Sequence, residues 1–176
     1  MAWHGFTAAG PAEVGMAVIR GDETPAEIII LAYGMEEGLR SFYEAMASRT
    51  SDHEVSAQFG KLAGVEVLHK KKLYKLYRRY DSGVVDMKGL ENKVDAEIME
   101  GGLTGEEFIA QNRSAMKTVP EILDIAMMIE AQALDLYMRY SRKSEDRESK
   151  ETLYDIAEEE KAHLAVLGRL RGARAF

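Results

Sequence analysis

A Glu-x-x-His motif that occurs twice places the strongest constraint on how this chain can fold. The two copies begin 94 residues apart, at Glu66 and Glu160. Two residues three apart on a helix lie on neighbouring turns of one face, so this glutamate and histidine can reach a single point. The same offset superimposes two further pairs, Glu36 on Glu130 and Tyr43 on Tyr137. The chain is therefore predicted to form two similar halves.

Six side chains of this pattern have the chemistry of a metal site. They are four carboxylates and two imidazoles, namely Glu36, Glu66, His69, Glu130, Glu160 and His163. Buried carboxylates that converge repel one another, and a positive charge between them removes the repulsion. Helix bundles that hold two metal ions use one glutamate from each of two helices and a Glu-x-x-His from each of the other two. Two divalent ions balance four carboxylates, and the duplication predicts one ion per half.

The ligand types narrow the choice of metal. Carboxylate-rich ligation with one nitrogen per ion suits iron or manganese, whereas zinc sites usually draw on more nitrogen or sulfur. The sequence does not separate iron from manganese. The competing interpretation treats the same residues as solvated helix glutamates and hydrogen-bonded core histidines, because a single short motif often arises by chance.

Two neighbouring glutamates compete with the predicted ligands. Glu37 lies beside Glu36, and Glu159 lies four residues before His163, a spacing that a helix also brings to one face. The internal register decides between them. The offset of 94 residues pairs each predicted ligand with an identical residue, but it pairs Glu37 with an alanine and Glu159 with a valine. We therefore predict Glu36 and Glu160 as the ligands.

Composition favours helices and limits the partners. Few prolines and many alanine, glutamate, leucine, methionine and lysine residues favour helix over sheet. The absence of cysteine excludes disulfides and thiolate metal sites. A net charge of −7 repels phosphate backbones and anionic lipids, so we expect neither nucleic acid nor a membrane as a partner. The first residues do not have the pattern of a secretory signal, and a cytoplasmic location is expected.

Four long helices are predicted from capping residues and from apolar positions three and four apart. They cover about residues 24–49, 51–81, 118–141 and 144–171. Capping boxes are predicted to start the first three helices, at Thr24, Ser51 and Thr118. The lysines of the second helix, Lys70 among them, are expected to point mostly outward.

The connections between these helices predict the architecture. Short turns make the first two helices one antiparallel pair and the last two another. The glycine-rich stretch between the pairs is predicted to be a long crossover with short helices at about 86–99 and 104–113. The predicted fold is therefore an all-α four-helix bundle in which residues 22–176 form one domain.

Residues 1–21 are predicted to be an irregular lead segment, because they contain four glycines and no sustained periodicity. Trp3-His-Gly, followed by Gly-Pro-Ala-Glu-Val-Gly-Met, resembles the closing stretch of a rhodanese domain. Two interpretations stay open here. The segment is either a flexible tail or the end of a domain that precedes this one in a longer protein.

The six candidate ligands and their helix positions resemble those of the ferritin-like di-iron carboxylate proteins over about residues 24–171. Within that superfamily, the Glu-to-Tyr spacing and the long crossover resemble rubrerythrin. The resemblance implies a ferritin-like bundle in which Glu66 and Glu160 bridge two iron ions. It further implies that the remaining ligands complete one ion each, Glu36 with His69 and Glu130 with His163.

The resemblance also implies an activity, that of a non-haem di-iron peroxidase that removes hydrogen peroxide under oxidative stress, as a homodimer. Rubrerythrins usually carry a four-cysteine rubredoxin domain that delivers electrons, so a chain without cysteine implies an external electron donor. They also usually carry an additional glutamate where this chain has Ala133, which brings the site closer to the symmetric bacterioferritin type. The alternatives are a ferroxidase that handles iron with oxygen, a manganese catalase and a metal-free interaction bundle.

Tyr43 and Tyr137 are the candidate residues around the metals. Each lies seven residues after a predicted glutamate ligand, two turns along the same helix face. They could hydrogen-bond the ligand carboxylates or quench a radical. The alternative is that both are core tyrosines whose hydroxyl groups need one polar partner.

Overall fold

The computed structural model describes residues 23–94 and 105–174, and within these ranges the chain forms helices, turns and loops but no β-strand. The elements in chain order are α1 (Pro25–Arg49), α2 (His53–Tyr77), α3 (Met87–Glu91), α4 (Gly105–Asn112), a 3-10 helix (Arg113–Ala115), α5 (Val119–Lys143) and α6 (Arg147–Gly172). The prediction of an all-α protein is confirmed. The lead segment 1–21, with its resemblance to a rhodanese domain, lies outside the described residues.

Side-chain caps start α1 and α5 as predicted. The Thr24 hydroxyl accepts a hydrogen bond from the backbone N–H of Glu27, whose carboxylate accepts one from the Thr24 backbone. Thr118 and Glu121 form the same reciprocal pair at α5. Each pair satisfies backbone donors that a helix start leaves without partners, so both helices begin at defined residues.

The predicted cap of α2 is wrong by one residue. Asp52, not Ser51, accepts hydrogen bonds from the backbone N–H groups of Glu54 and Val55. The same carboxylate accepts two hydrogen bonds from the Arg174 guanidinium beyond the end of α6. A carboxylate can accept all four bonds, whereas a serine hydroxyl cannot. The tertiary contact with Arg174 therefore favours Asp52 over Ser51 as the cap of α2.

Other boundaries differ from the prediction by a few residues. Helix α2 ends at Tyr77 rather than near residue 81, and three residues of turn follow it. Helix α3 is five residues long, shorter than the predicted 86–99, of which residues 95–99 lie outside the described ranges. Helix α6 begins at Arg147 because Asp146 caps it, in place of the predicted start at Ser144.

The four long helices pack as two hairpins. Helix α1 lies along α2, and α5 lies along α6, with connections of three residues that make the partners antiparallel. The hairpins meet where α2 faces α6 and where α1 faces α5. The apolar residues spaced three and four apart on the four helices are buried, as their periodicity predicts, and form the core, which includes Ile29, Leu39, Phe59, Leu73, Leu123, Ile156 and Leu167. No helix in the described ranges is both long and apolar enough to cross a bilayer.

Lys70 contradicts the expectation that it points outward. It is only 7% exposed. Its ammonium group donates to Glu37 at 2.6 Å and to Glu91 at 3.2 Å, and it lies 4.8 Å from the centre of the Tyr33 ring. A buried cation requires such partners. Lys70 therefore links α2 to α1 and to the short helix α3.

We expect the substitution Thr118→Ala to lower the free energy of unfolding by about 1 kcal/mol, because it removes the side-chain acceptor at the start of α5. Urea denaturation followed by circular dichroism measures this change. Thr152→Ala, at a partly exposed position inside α6, is the matched control and should change stability by less than about 0.5 kcal/mol. Equal losses in the two variants would show that the cap is not the cause.

Candidate metal centre

The glutamates and histidines predicted from the sequence meet at the centre of the bundle. Each long helix contributes to the group: Glu36 from α1, Glu66 and His69 from α2, Glu130 from α5, and Glu160 and His163 from α6. Five of these residues are 0% exposed, and His163 is 7% exposed. All six lie at least eight residues from the nearer end of their helix. The structure therefore brings every predicted ligand into a buried interior.

The six side chains form two overlapping clusters. The His69 cluster contains Glu36, Glu66, His69 and Glu160, and the His163 cluster contains Glu66, Glu130, Glu160 and His163. Within each cluster, one potential ligand atom from every residue lies within 4.8 Å of the others. The two imidazole rings are 5.8 Å apart between centres and inclined by 24°. Each cluster could hold a metal ion, and two glutamates belong to both.

Glu66 and Glu160, the shared glutamates, each direct one oxygen toward each histidine. Oε2 of Glu66 lies 3.0 Å from Nδ1 of His69, and its Oε1 lies 3.7 Å from Nδ1 of His163. Oε1 of Glu160 lies 3.2 Å from Nδ1 of His69, and its Oε2 lies 2.9 Å from Nδ1 of His163. Carboxylates in this orientation can bridge two ions, with Nδ1 as the available nitrogen of both rings.

Glu36 and Glu130 each belong to one cluster, and a buried tyrosine holds each of them. Tyr43 donates a hydrogen bond to Glu130, and Tyr137 donates one to Glu36. Both tyrosines thus make the hydrogen bonds to glutamates that the sequence suggested. The partners are exchanged, however, because each tyrosine bonds the glutamate of the opposite hairpin. The second oxygen of each glutamate faces Nδ1 of the histidine in its own cluster, at 3.2 and 3.4 Å.

The two phenols act as donors because they keep their protons. Burial is the main cause that raises the pKa of Tyr43, and the charge of Glu130 adds to it. Burial and then the charge of Glu36 raise the pKa of Tyr137 in the same way. A protonated hydroxyl group donates to a carboxylate and stabilises its negative charge. The hydrogen bonds from Tyr137 and Tyr43 therefore fix the orientation of Glu36 and Glu130.

The oxygens of the shared glutamates show that the site fits cations. All four oxygens of Glu66 and Glu160 are buried, and none accepts a hydrogen bond despite the nearby ring nitrogens. A buried carboxylate without a partner is costly, and such groups are rare in native proteins. A divalent cation in each cluster would give these oxygens partners and would balance four negative charges. The residues present therefore fit two divalent metal ions.

Protons compete with cations for the same atoms. Burial raises the pKa of Glu130 to about 8, and the proximity of Glu160 adds to this effect. Burial opposes a charge on His163, but the negative charges of Glu130 and Glu160 close to its ring outweigh this effect and raise the pKa of His163 to about 10. The pKa of Glu66 is also well above its ordinary value, mainly because of burial. A metal ion must displace protons from these groups.

Glu159 contacts this site from outside, a role that the sequence did not reveal. Its Oε2 lies 2.7 Å from Nε2 of His69, and its Oε1 accepts a hydrogen bond from Lys72 at 2.6 Å. The Glu159 side chain is 44% exposed and belongs to neither cluster, in agreement with the choice of Glu160. The contact joins two helices far apart in sequence, so no spacing rule predicts it. The available signal was its position directly before a cluster glutamate.

Glu37, the other competitor, also lies outside both clusters. It accepts hydrogen bonds from Lys70 and from Arg40. Ala133, at the position where rubrerythrins usually have a glutamate, is 0% exposed. Among the described residues, the two clusters contain four carboxylates. Two of them belong to both clusters, and each cluster has one more of its own. The centre is therefore symmetric in its cluster residues.

Comparison with known proteins supports the fold alone. The sequence matches no known protein family and no curated protein. The structure is similar to that of a hypothetical protein from Pyrococcus furiosus, with a TM-score of 0.64 and 19% sequence identity. The match covers 88% of this chain and 93% of that chain. The similarity therefore extends over most of the helical architecture of both proteins.

We expect metal binding to stabilise the protein more strongly as the pH rises. The folded-state pKa values of Glu130 and His163, about 8 and about 10, lie above the ordinary values of 4.5 and 6.5. The metal-free native state thus holds extra protons and loses stability as the pH rises through these values, whereas bound metal keeps the ligands deprotonated. Thermal unfolding with and without Mn²⁺, at about pH 6 and about pH 8, measures the difference. Stabilisation by Mn²⁺ that is equal at the two pH values would contradict this expectation.

Proposed function

We propose that this chain is a non-haem di-iron oxidoreductase of the rubrerythrin type that reduces hydrogen peroxide. The observation that supports the proposal is the pair of buried clusters that share Glu66 and Glu160. Four long helices that each supply a carboxylate, two of them with a Glu-x-x-His, are the ligand arrangement of ferritin-like di-iron proteins. We therefore infer that the two hairpins adopt the ferritin-like arrangement.

Two iron ions are the proposed cofactors. Glu36 and His69 would hold one ion and Glu130 and His163 the other, with Glu66 and Glu160 as bridges between them. The bound irons would supply the electrons that reduce peroxide to water. Manganese has similar ligand preferences, and a manganese catalase is therefore an outcome that the metal analysis below distinguishes.

The protein contributes orientation and a dry environment. Tyr43 and Tyr137 hold one oxygen of each unshared glutamate, which leaves the other oxygen directed into its cluster. Aromatic rings pack around one of these tyrosines, since Phe59 stacks on Tyr43 at 5.6 Å and Phe42 contacts its edge at 5.6 Å. Excluding water lowers the local dielectric and strengthens the interactions between ligands and cations.

Electrons come from an external donor in this proposal. The chain contains no cysteine and so cannot form a rubredoxin-type iron site of its own. Reduction of one peroxide to two waters consumes two electrons and two protons, and the donor must return two electrons for each turnover. A homodimer in the cytoplasm, with no nucleic acid or membrane partner, stays part of the proposal.

Ala133 favours a second candidate, a ferroxidase that oxidises Fe²⁺ with oxygen and has no peroxidase turnover. The site offers a wholly buried methyl group where rubrerythrins usually carry a further glutamate. Each cluster has one glutamate that it does not share with the other, so the set of residues is closer to the symmetric bacterioferritin type.

We expect protein purified without chelator to contain about two iron ions per chain, because two clusters are present. Elemental analysis measures both the identity and the number of ions. Manganese in place of iron would support a manganese catalase. Protein that takes up neither metal, even when Fe²⁺ or Mn²⁺ is supplied, would overturn the proposed function.

We expect hydrogen peroxide to oxidise the anaerobic Fe²⁺-loaded protein faster than oxygen does. Stopped-flow absorption, with each oxidant in a separate experiment, measures the two rates. Faster oxidation by oxygen would reverse the preference and support the ferroxidase.

We expect either Glu66→Ala or Glu160→Ala to abolish binding of the metal pair, since each removes a carboxylate that both clusters share. Metal content measures the loss, and circular dichroism verifies the fold. Glu158→Ala is the matched control, because Glu158 is exposed on α6 and pairs only with Lys161 among the ion pairs of the described chain. Retention of two equivalents of iron by either bridge variant would show that the bridging assignment is wrong.

A further inference from the structure

The two clusters match in their ligands but differ in the groups behind their histidines. The offset that superimposes the halves pairs Glu159 with Val65 and Lys72 with Val166. The surroundings of His69 therefore include Glu159 and Lys72, where the equivalent positions around His163 hold Val65 and Val166. This is a difference of charge at equivalent places in an otherwise duplicated site.

Behind His69, the acid and the base form a chain of short contacts. With Nδ1 of His69 directed into the cluster, Nε2 carries the proton and donates to Glu159 at 2.7 Å. Lys72 donates to the other oxygen of Glu159 at 2.6 Å, and the His69 ring is 0% exposed. The carboxylate of Glu159 thus fixes both the tautomer and the plane of the ring.

Behind His163, the described residues form no equivalent series of hydrogen bonds. Its side chain is 9% exposed. Within the described parts of the chain, no side chain hydrogen-bonds Nε2 of His163, and the partly buried Val65 and Val166 offer no acceptor. This ring is held from the cluster side alone, by contacts of its Nδ1 with glutamates at 2.9 and 3.3 Å.

We propose that Glu159 is a positioning residue that makes the two metal positions unequal, so that the His69 position binds metal first and more tightly. The His163 position is then the weaker and more readily exchanged of the two. This inference rests on the proposed dimetal centre but not on the reaction that the centre performs.

The physical basis is the effect of a carboxylate on a histidine ligand. A carboxylate that accepts the distal N–H makes the imidazole a stronger base toward the metal and orients its lone pair. Loss of such an outer partner typically lowers metal affinity by about 10-fold to 100-fold. Because only one of the two histidines has the partner, the first and second binding constants should differ by a factor of this size.

The competing interpretation assigns Glu159 a purely structural role. In that case its pair with Lys72 joins α2 to α6 at the surface and leaves the metal positions equal. Surface ion pairs contribute little to stability. A structural role therefore predicts a small change in unfolding and no change in metal affinity when Glu159 is replaced.

Anaerobic titration of the full chain with Co²⁺, followed by calorimetry and visible absorption, tests the proposal. The original protein should bind two ions in two steps that differ by at least about 10-fold in affinity. In Glu159→Ala, the tighter step should weaken by about 10-fold or more and merge with the second. Glu159→Gln, which keeps an acceptor but not the charge, should fall between the two. Glu158→Gln, on the next residue of the same helix, should leave both steps unchanged.

Proton NMR of the Co²⁺-loaded protein provides a signature that a structural role would not change. Two histidine ligands give two exchangeable, strongly shifted N–H signals. We expect the His69 signal to persist in water because Glu159 holds that proton, and the His163 signal to broaden or vanish by exchange. In Glu159→Ala, both signals should exchange quickly.

The outcomes separate this inference from the proposed function. Two equal binding steps in the original protein, or an unchanged tight step in a folded Glu159→Ala variant, would overturn the inequality and leave the dimetal centre in place. Protein that binds no Co²⁺ would overturn both. Two unequal steps with slow reaction toward peroxide would support the inequality and overturn the peroxidase.

Discussion

The mutual repulsion of four carboxylates in an interior without water is the constraint on which the rest of this structure depends. Apolar residues at these positions would make a more stable bundle, because buried charges cost more than their interactions usually return. The chain instead places a glutamate in the middle of every long helix. The hydrogen bonds from Tyr43 and Tyr137 and the inward Nδ1 atoms of the two histidines offset part of this repulsion, and cations in the two clusters would offset more of it. Such a cost is typical of functional sites.

Much of the fold and of the site could be predicted because both depend on periodicity. Residues such as Glu66 and His69 fall on the buried stripe of their helix, and a duplicated pattern distinguished Glu160 from Glu159. Capping boxes located the starts of α1 and α5 because the interaction is confined to four neighbouring residues. These signals are local or repeated, and helix geometry converts them directly into positions in space.

The features that sequence did not predict are contacts between distant helices. Asp52 replaced Ser51 as a cap because Arg174, 122 residues away, bonds to it. Lys70 lies inward because two acids and an aromatic ring from other helices surround it. Glu159 reaches His69 across a helix interface. Each depends on which side chains meet after packing, and no spacing within one helix encodes that information.

The exchange of tyrosine partners makes the two hairpins dependent on each other. The α1–α2 hairpin carries the hydroxyl group that Glu130 needs, and the α5–α6 hairpin carries the one that Glu36 needs. Neither hairpin supplies the tyrosine donor for its own glutamate, so each would be an incomplete folding unit if separated. A chain severed between the hairpins would yield two fragments that recognise one another by complementary donors and acceptors. Reassembly of those fragments would restore the entire centre without a covalent link.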